Sequence, residues 1–131
     1  MFNMQKCKNP DLGLLLIRLG LGAIFIYHGW AKLQNIAGTT TFFESLGLNV
    51  FFVYLVMAVE LLGGLAVLLG VLVEYAGWAL AIDMLFAILL VRISQGWAGS
   101  EFELILLLAS AGIALSGAGK YALGMGMKSK R

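Results

Sequence analysis

Thiol and metal chemistry have almost no residues to work with in this chain, because Cys7 and His28 are each the sole residue of their type. A lone cysteine forms no disulfide within the chain and no Cys-x-x-Cys pair, which excludes dithiol oxidoreductase mechanisms. One histidine without cysteine partners cannot build a metal or haem site in one chain, and no metal is expected. There is no phosphate-binding glycine loop, nucleophile elbow or paired metal motif. Charge is equally scarce: 12% of the residues are charged, 61% are hydrophobic and the net charge is +2. That imbalance is too small to argue for nucleic acid as a partner.

What the chain has instead is apolar length. A mean hydropathy of +0.95 calls for lipid as the solvent. Four runs, about 11–33, 51–73, 76–94 and 101–119, meet the roughly 17–25 residues a spanning helix needs. Lipid tolerates no open strand, so these runs are helices. Residues 1–131 are expected to form a single domain, an all-α integral membrane protein built as a four-transmembrane-helix bundle. Lys6 and Lys8 ahead of the first run imitate a signal peptide, but the run is too long and Arg18 interrupts it. Asn9-Pro10-Asp11 supplies a cap, an N1 proline and a first-turn acid, and Asn49 is placed to cap the second span. Ser100-x-x-Glu103 has the spacing of a capping box for the fourth span. Thr41-x-x-Glu44 is a second such box, opening a short amphipathic helix, Phe42 to Leu46, that would lie in the interface of the first outer loop.

Basic residues set the orientation. With four spans, Lys6, Lys8, Lys120, Lys128, Lys130 and Arg131 share one side, and only Lys32 and Arg92 approach the other. The positive-inside rule then places both termini in the cytoplasm of a multi-pass protein of the cell (inner) membrane. Trp30, Tyr54 and Trp97 fall near the outer interface and Tyr75, Trp78 and Tyr121 near the inner one, as two aromatic belts require. His28-Gly29-Trp30-Ala31 and Gln95-Gly96-Trp97-Ala98 form a short internal echo that suggests two related hairpins. Gly22 and Gly29, Gly63 and Gly70, and the series Ala109, Gly112, Ser116 and Gly119 have spacings that suit close helix packing.

The informative residues are the charges inside the spans, since each costs about 2.5–3.5 kcal/mol near the bilayer centre. Arg18, Glu60 and Asp83 fall at heights that let them meet, with the guanidinium bridging two carboxylates. One cation leaves a negative charge over, so one carboxyl takes a proton or meets a donor such as Tyr27 or His28. Arg18, Gly22, Phe25, Gly29 and Lys32 follow one face of the first helix, with His28 close to it. Arg18, His28, Lys32, Glu60 and Asp83 are therefore candidates for ligand binding or proton handling, and Arg92, Glu101 and Glu103 for an outer rim. Two plainer readings stand beside these. Lys32 and Arg92 would snorkel to headgroups while Glu101 and Glu103 serve a helix dipole, and the central charges would fix helix register.

Arg18-Leu19-Gly20, His28-Gly29-x-x-Lys32-Leu33, Glu60-Leu61-x-Gly63-Gly64 and Gly70 together resemble the DoxX family of small membrane proteins. The resemblance continues through Phe102-Glu103 to Gly117-Ala118-Gly119-Lys120-Tyr121-Ala122-Leu123, where Ala118, Ala122 and Gly124 replace the family's usual Pro, Ser and Asp. It implies a four-helix bundle and a link to quinone-coupled oxidation, because relatives look like a membrane subunit of thiosulfate:quinone oxidoreductase and others associate with thiol-stress enzymes. The function it implies is a membrane subunit or accessory of a quinone-linked redox system, with an outward-opening polar cavity for a quinone head group or small sulfur anion. The alternatives are a small-solute or proton pathway through a homo-oligomer, with Glu60 and Asp83 titrating, or a structural membrane partner. The lipid bilayer is the expected partner in all three, joined by a redox enzyme or further copies of the chain.

Overall fold

Asn9 opens the first helix as its sequence requires: its side chain accepts from the Leu12 amide at 3.1 Å, with Pro10 in the first turn. The computed structural model describes residues 4–124, and every regular element among them is helical. The basic residues Lys128, Lys130 and Arg131 lie outside the described residues. After a short 3-10 turn at Met4–Cys7 come α1 (Pro10–Gln34), α2 (Ile36–Ser45), α3 (Val50–Leu69), α4 (Val73–Ala87) and α5 (Gly96–Ser116). A π-helical turn, Ile88–Arg92, and a 3-10 turn, Ile93–Gln95, carry the chain from α4 into α5. Three apolar helical stretches are long enough to cross a membrane: Pro10–Gln34, Val50–Leu69 and Val73–Ser116.

The third stretch does not run straight. Gly77 of α4 sits against the backbone of Ser110 and Ala114 of α5, where a methyl group would lie 2.7 Å from the Ser110 carbonyl oxygen. Such contact requires α5 to fold back along α4. Glycine makes the same close approach between α1 and α3: Gly22 lies against Gly64 and Leu68, and Gly29 against Leu61. Rising numbers on α1 meet falling numbers on α3, so that pair is antiparallel too. Without a hydrophobic drive between helices in lipid, such backbone proximity is what holds membrane helices together. Leu21, Phe25, Val67, Val73, Leu80, Met84, Leu106 and Ile113 fill the interior. Leu16, Leu62 and Leu115, all more than half exposed, point outward, the arrangement of a bundle solvated by acyl chains.

Several local expectations are corrected. The short helix begins at Ile36, six residues before Phe42, because Asn35 caps it by accepting from the Gly38 amide at 3.1 Å. Thr41 is therefore mid-helix, bonding back to the Ala37 carbonyl, and forms no capping box. The last span begins at Gly96, so Ser100 lies inside it and its hydroxyl donates to the Arg92 and Gly96 carbonyls. The packing face of α5 is Leu106, Ser110, Ile113 and Ala114, whereas Gly112 faces away with nothing within 4 Å. The two echoed tetrapeptides are not equivalent, since Gly29 is buried inside α1 and Gly96, at φ 77°, sits at the turn into α5.

Candidate functional site

Arg18 lies on the face of α1 that carries Leu21, Gly22, Phe25 and Gly29, and is only 1% exposed. It meets neither Glu60 nor Asp83. Its Nε donates to the Val67 carbonyl at 2.9 Å and Nη2 to that of Leu68 at 3.1 Å. Nη1 donates to the carbonyls of Ala118 at 3.1 Å and Tyr121 at 2.7 Å. The last turn of a helix leaves carbonyls without amide partners and concentrates partial negative charge there, so a guanidinium is well placed against it. The antiparallel register explains the correction, because Gly22 faces Leu68 and Arg18 therefore reaches the end of α3 rather than Glu60 at its middle. Gly70 closes α3 at φ 76°, and a side chain there would collide with Arg18 Nη2 and Ala122. Leu123 and Gly124 donate to the Leu69 and Gly70 carbonyls, and the Lys120 amide to Asp11. Arg18 is thus the hub that ties α1, the end of α3 and the segment after α5.

Lys32, Glu60, Asp83, Arg92 and Glu103 gather toward the other end. Lys32 Nζ reaches Glu60 Oε1 at 2.7 Å, with the Glu60 side chain only 4% exposed. Lys32 therefore turns inward to a buried carboxylate instead of snorkelling outward. Asp83 on α4 lines the same cavity as Glu60, and its carboxyl interacts with that of Glu60. Its Oδ2 is buried and meets no N–H or hydroxyl donor. The π-helical turn after α4 adds one residue to the turn, as such insertions do. Arg92, at its end, lies with Nε 3.3 Å from Glu103 Oε2 on α5.

These groups border one cavity of about 300 Å³, lined by His28 and Lys32 of α1, Glu60 of α3, Asp83 of α4, and Arg92 and Glu103 beyond. Of the sequence candidates, the structure leaves out Arg18 and Glu101, the latter exposed. Helical phase decides between the two acids of α5, since Glu103 turns inward while Glu101 does not. Most of the wall is apolar, and part of it has no counterpart among the sequence candidates: Phe42 and Phe43 of α2 and Leu46 just after it line the cavity, as does Phe102. His28 packs edge-on against Phe102, with ring centroids 5.8 Å apart, closing the gap between α1 and α5. Asn35 is the signal for the missed part of α2, being followed by a helix whose Phe42 and Phe43 fall beyond the Thr41 box. Among the described residues no group of three or more His, Cys, Asp or Glu side chains is placed to hold a metal ion.

Chemically, the arrangement offers two ion pairs, Lys32–Glu60 and Arg92–Glu103, a third carboxyl in Asp83 and an aromatic wall. The sequence matches the DoxX family over residues 13–93. A protein of Bacillus subtilis (strain 168) named "Putative oxidoreductase CatD" is 39% identical over 111 residues, 84% of this chain and 83% of that protein. "Inner membrane protein YqjF" of Escherichia coli (strain K12) is 37% identical over 84 residues, 60% of this chain and 65% of that protein. No solved structure matches the chain significantly.

Proposed function

Since the chain belongs to the DoxX family, we propose that it serves as a membrane subunit or accessory of a quinone-linked redox system, with the cavity as its head-group site. The observation that carries this reading is the convergence of His28, Lys32, Glu60, Asp83, Arg92 and Glu103 on one largely apolar cavity. A quinone head group is neutral and flat, matching an apolar wall with a few fixed polar groups. A small sulfur anion is less well served, because three carboxyls outnumber the two cations at the wall. The oxidoreductase name of the Bacillus relative supports the redox association. Extraction in native-lipid particles is expected to retain quinone with the protein. Quinone-free particles whose melting temperature does not move on adding decylubiquinone would remove the reading.

The topology belongs to the same proposal. α1, α3, α4 with its π-helical turn, and α5 are four spans, α2 lies in the interface, and both termini face the cytoplasm. Its support is the basic-residue asymmetry and the exposure of Trp30, Tyr54 and Trp97 at one end and Tyr75, Trp78 and Tyr121 at the other. Ser45→Cys, in a Cys7→Ser background, is expected to react with an impermeant maleimide on intact cells. Labelling that appears only after the membrane is broken would reverse the orientation.

The facing carboxyls of Glu60 and Asp83 favour a second reading, a proton or small-solute pathway, which predicts solute-driven proton flux in reconstituted vesicles.

A further inference from the structure

The charge balance of the cavity is specific enough to define a ligand. Lys32 is bonded to Glu60, and among the described residues no N–H or hydroxyl meets Asp83 Oδ2, whose carboxyl interacts with that of Glu60. Two bare carboxylates lining one cavity repel one another, and a single proton held between them would relieve that repulsion. The other groups facing this pair do not change that balance. Lys32 and His28 approach from α1, while Arg92 at the end of the π-helical turn is tied to Glu103 of α5. α2 and its C-cap contribute Phe42, Phe43 and Leu46, with no charge.

A cation entering such a site can replace the proton without altering the total charge. We propose that the cavity binds an organic ammonium ion of modest size in exchange for the proton shared by Glu60 and Asp83, its apolar part resting against Phe42, Phe43, Phe86 and Phe102. The ammonium N–H groups meet the carboxyl oxygens, and the aromatic walls favour a cation over a neutral solute of the same shape. The step balances: one ammonium enters, one proton leaves, Asp83 goes from sharing a proton to sharing a cation, and Lys32 stays with Glu60. This inference rests on the cavity being a ligand site and names the solute for the pathway reading.

The test is calorimetric titration of the purified full chain with phenethylammonium, against phenethyl alcohol as the neutral match and decylubiquinone as the quinone probe. The ammonium is expected to bind at least about tenfold more tightly than the alcohol and to release one proton per ion bound. Its affinity should rise by about tenfold per pH unit for as long as one proton is released per ion bound. Asp83→Asn, checked for an unchanged melting temperature, is expected to abolish both binding and proton release. Because the wild-type comparison stands alone, a misfolded variant does not weaken the test. Equal binding of the alcohol, or ammonium binding without proton release, overturns the exchange. Decylubiquinone binding with no ammonium binding overturns it too and leaves the head-group reading in place, whereas binding of neither probe removes both.

Discussion

Arg18→Leu is expected to cost the bundle about 3–5 kcal/mol, read as a large drop in melting temperature or in resistance to denaturing detergent. Four carbonyl oxygens, those of Val67, Leu68, Ala118 and Tyr121, lose the guanidinium in one substitution, with Val67 keeping the Gly70 amide. Each buried acceptor left without a partner costs about 1–3 kcal/mol, and the part returned by no longer burying a guanidinium offsets only some of the sum. Arg18→Lys should fall between, since one ammonium cannot span carbonyls arriving from two segments as a planar fork does. Lys32→Leu gives the contrast. It leaves only Glu60 unpaired, and a carboxyl can take up a proton, so a loss of about 1 kcal/mol is expected. Equal losses for Arg18→Leu and Lys32→Leu would mean that the carbonyl cluster is not a stabilising hub.

Glu60→Gln and Asp83→Asn are expected to separate stability from function. Both changes keep size and hydrogen-bonding shape while removing charge and proton. In the Asp83→Asn variant the side-chain amide would donate an N–H to the Glu60 carboxyl in place of an oxygen that now has no partner, so the melting temperature should hold or rise slightly. Binding of decylubiquinone should weaken by about tenfold or more, the loss expected when a charged hydrogen-bond partner is made neutral. Activity in native membranes should fall with it. Glu60 is the more sensitive of the two because it anchors Lys32 and sits at the middle of α3. Full complementation by both folded variants would take these carboxyls out of the mechanism.

Hydropathy alone identifies the helical runs, since a lipid-solvated helix has to be apolar along most of its length. The Asn9 and Asn49 caps are legible for a local reason, as each acts within three residues of itself. Which charge meets which is not legible. Arg18 and Lys32 lie on one face of α1, but the Gly22–Gly64 contact fixes the register that sends Arg18 to the end of α3 and Lys32 to Glu60. A single sequence contains no record of that register. Backbone acceptors are also invisible to pattern, since any residue carries a carbonyl, so a search for side-chain counter-ions cannot find the partners of Arg18. The inward turn of Glu103 is hidden similarly, because it depends on a helix that starts at Gly96 and on a π-helical turn with no residue signature of its own.

The Arg18 hub also sets an order on biosynthesis. Two of its four acceptors, on Ala118 and Tyr121, are separated from it by 100 and 103 residues, so half of its ligands do not exist while the first three helices are being delivered to the bilayer. Until the final segment docks, water or lipid phosphates would have to serve the Nη1 hydrogens that Ala118 and Tyr121 later accept. Docking of the final segment displaces them and locks α1 to α3. Truncation before Ala118 would therefore yield a chain that inserts but stays open to membrane quality control.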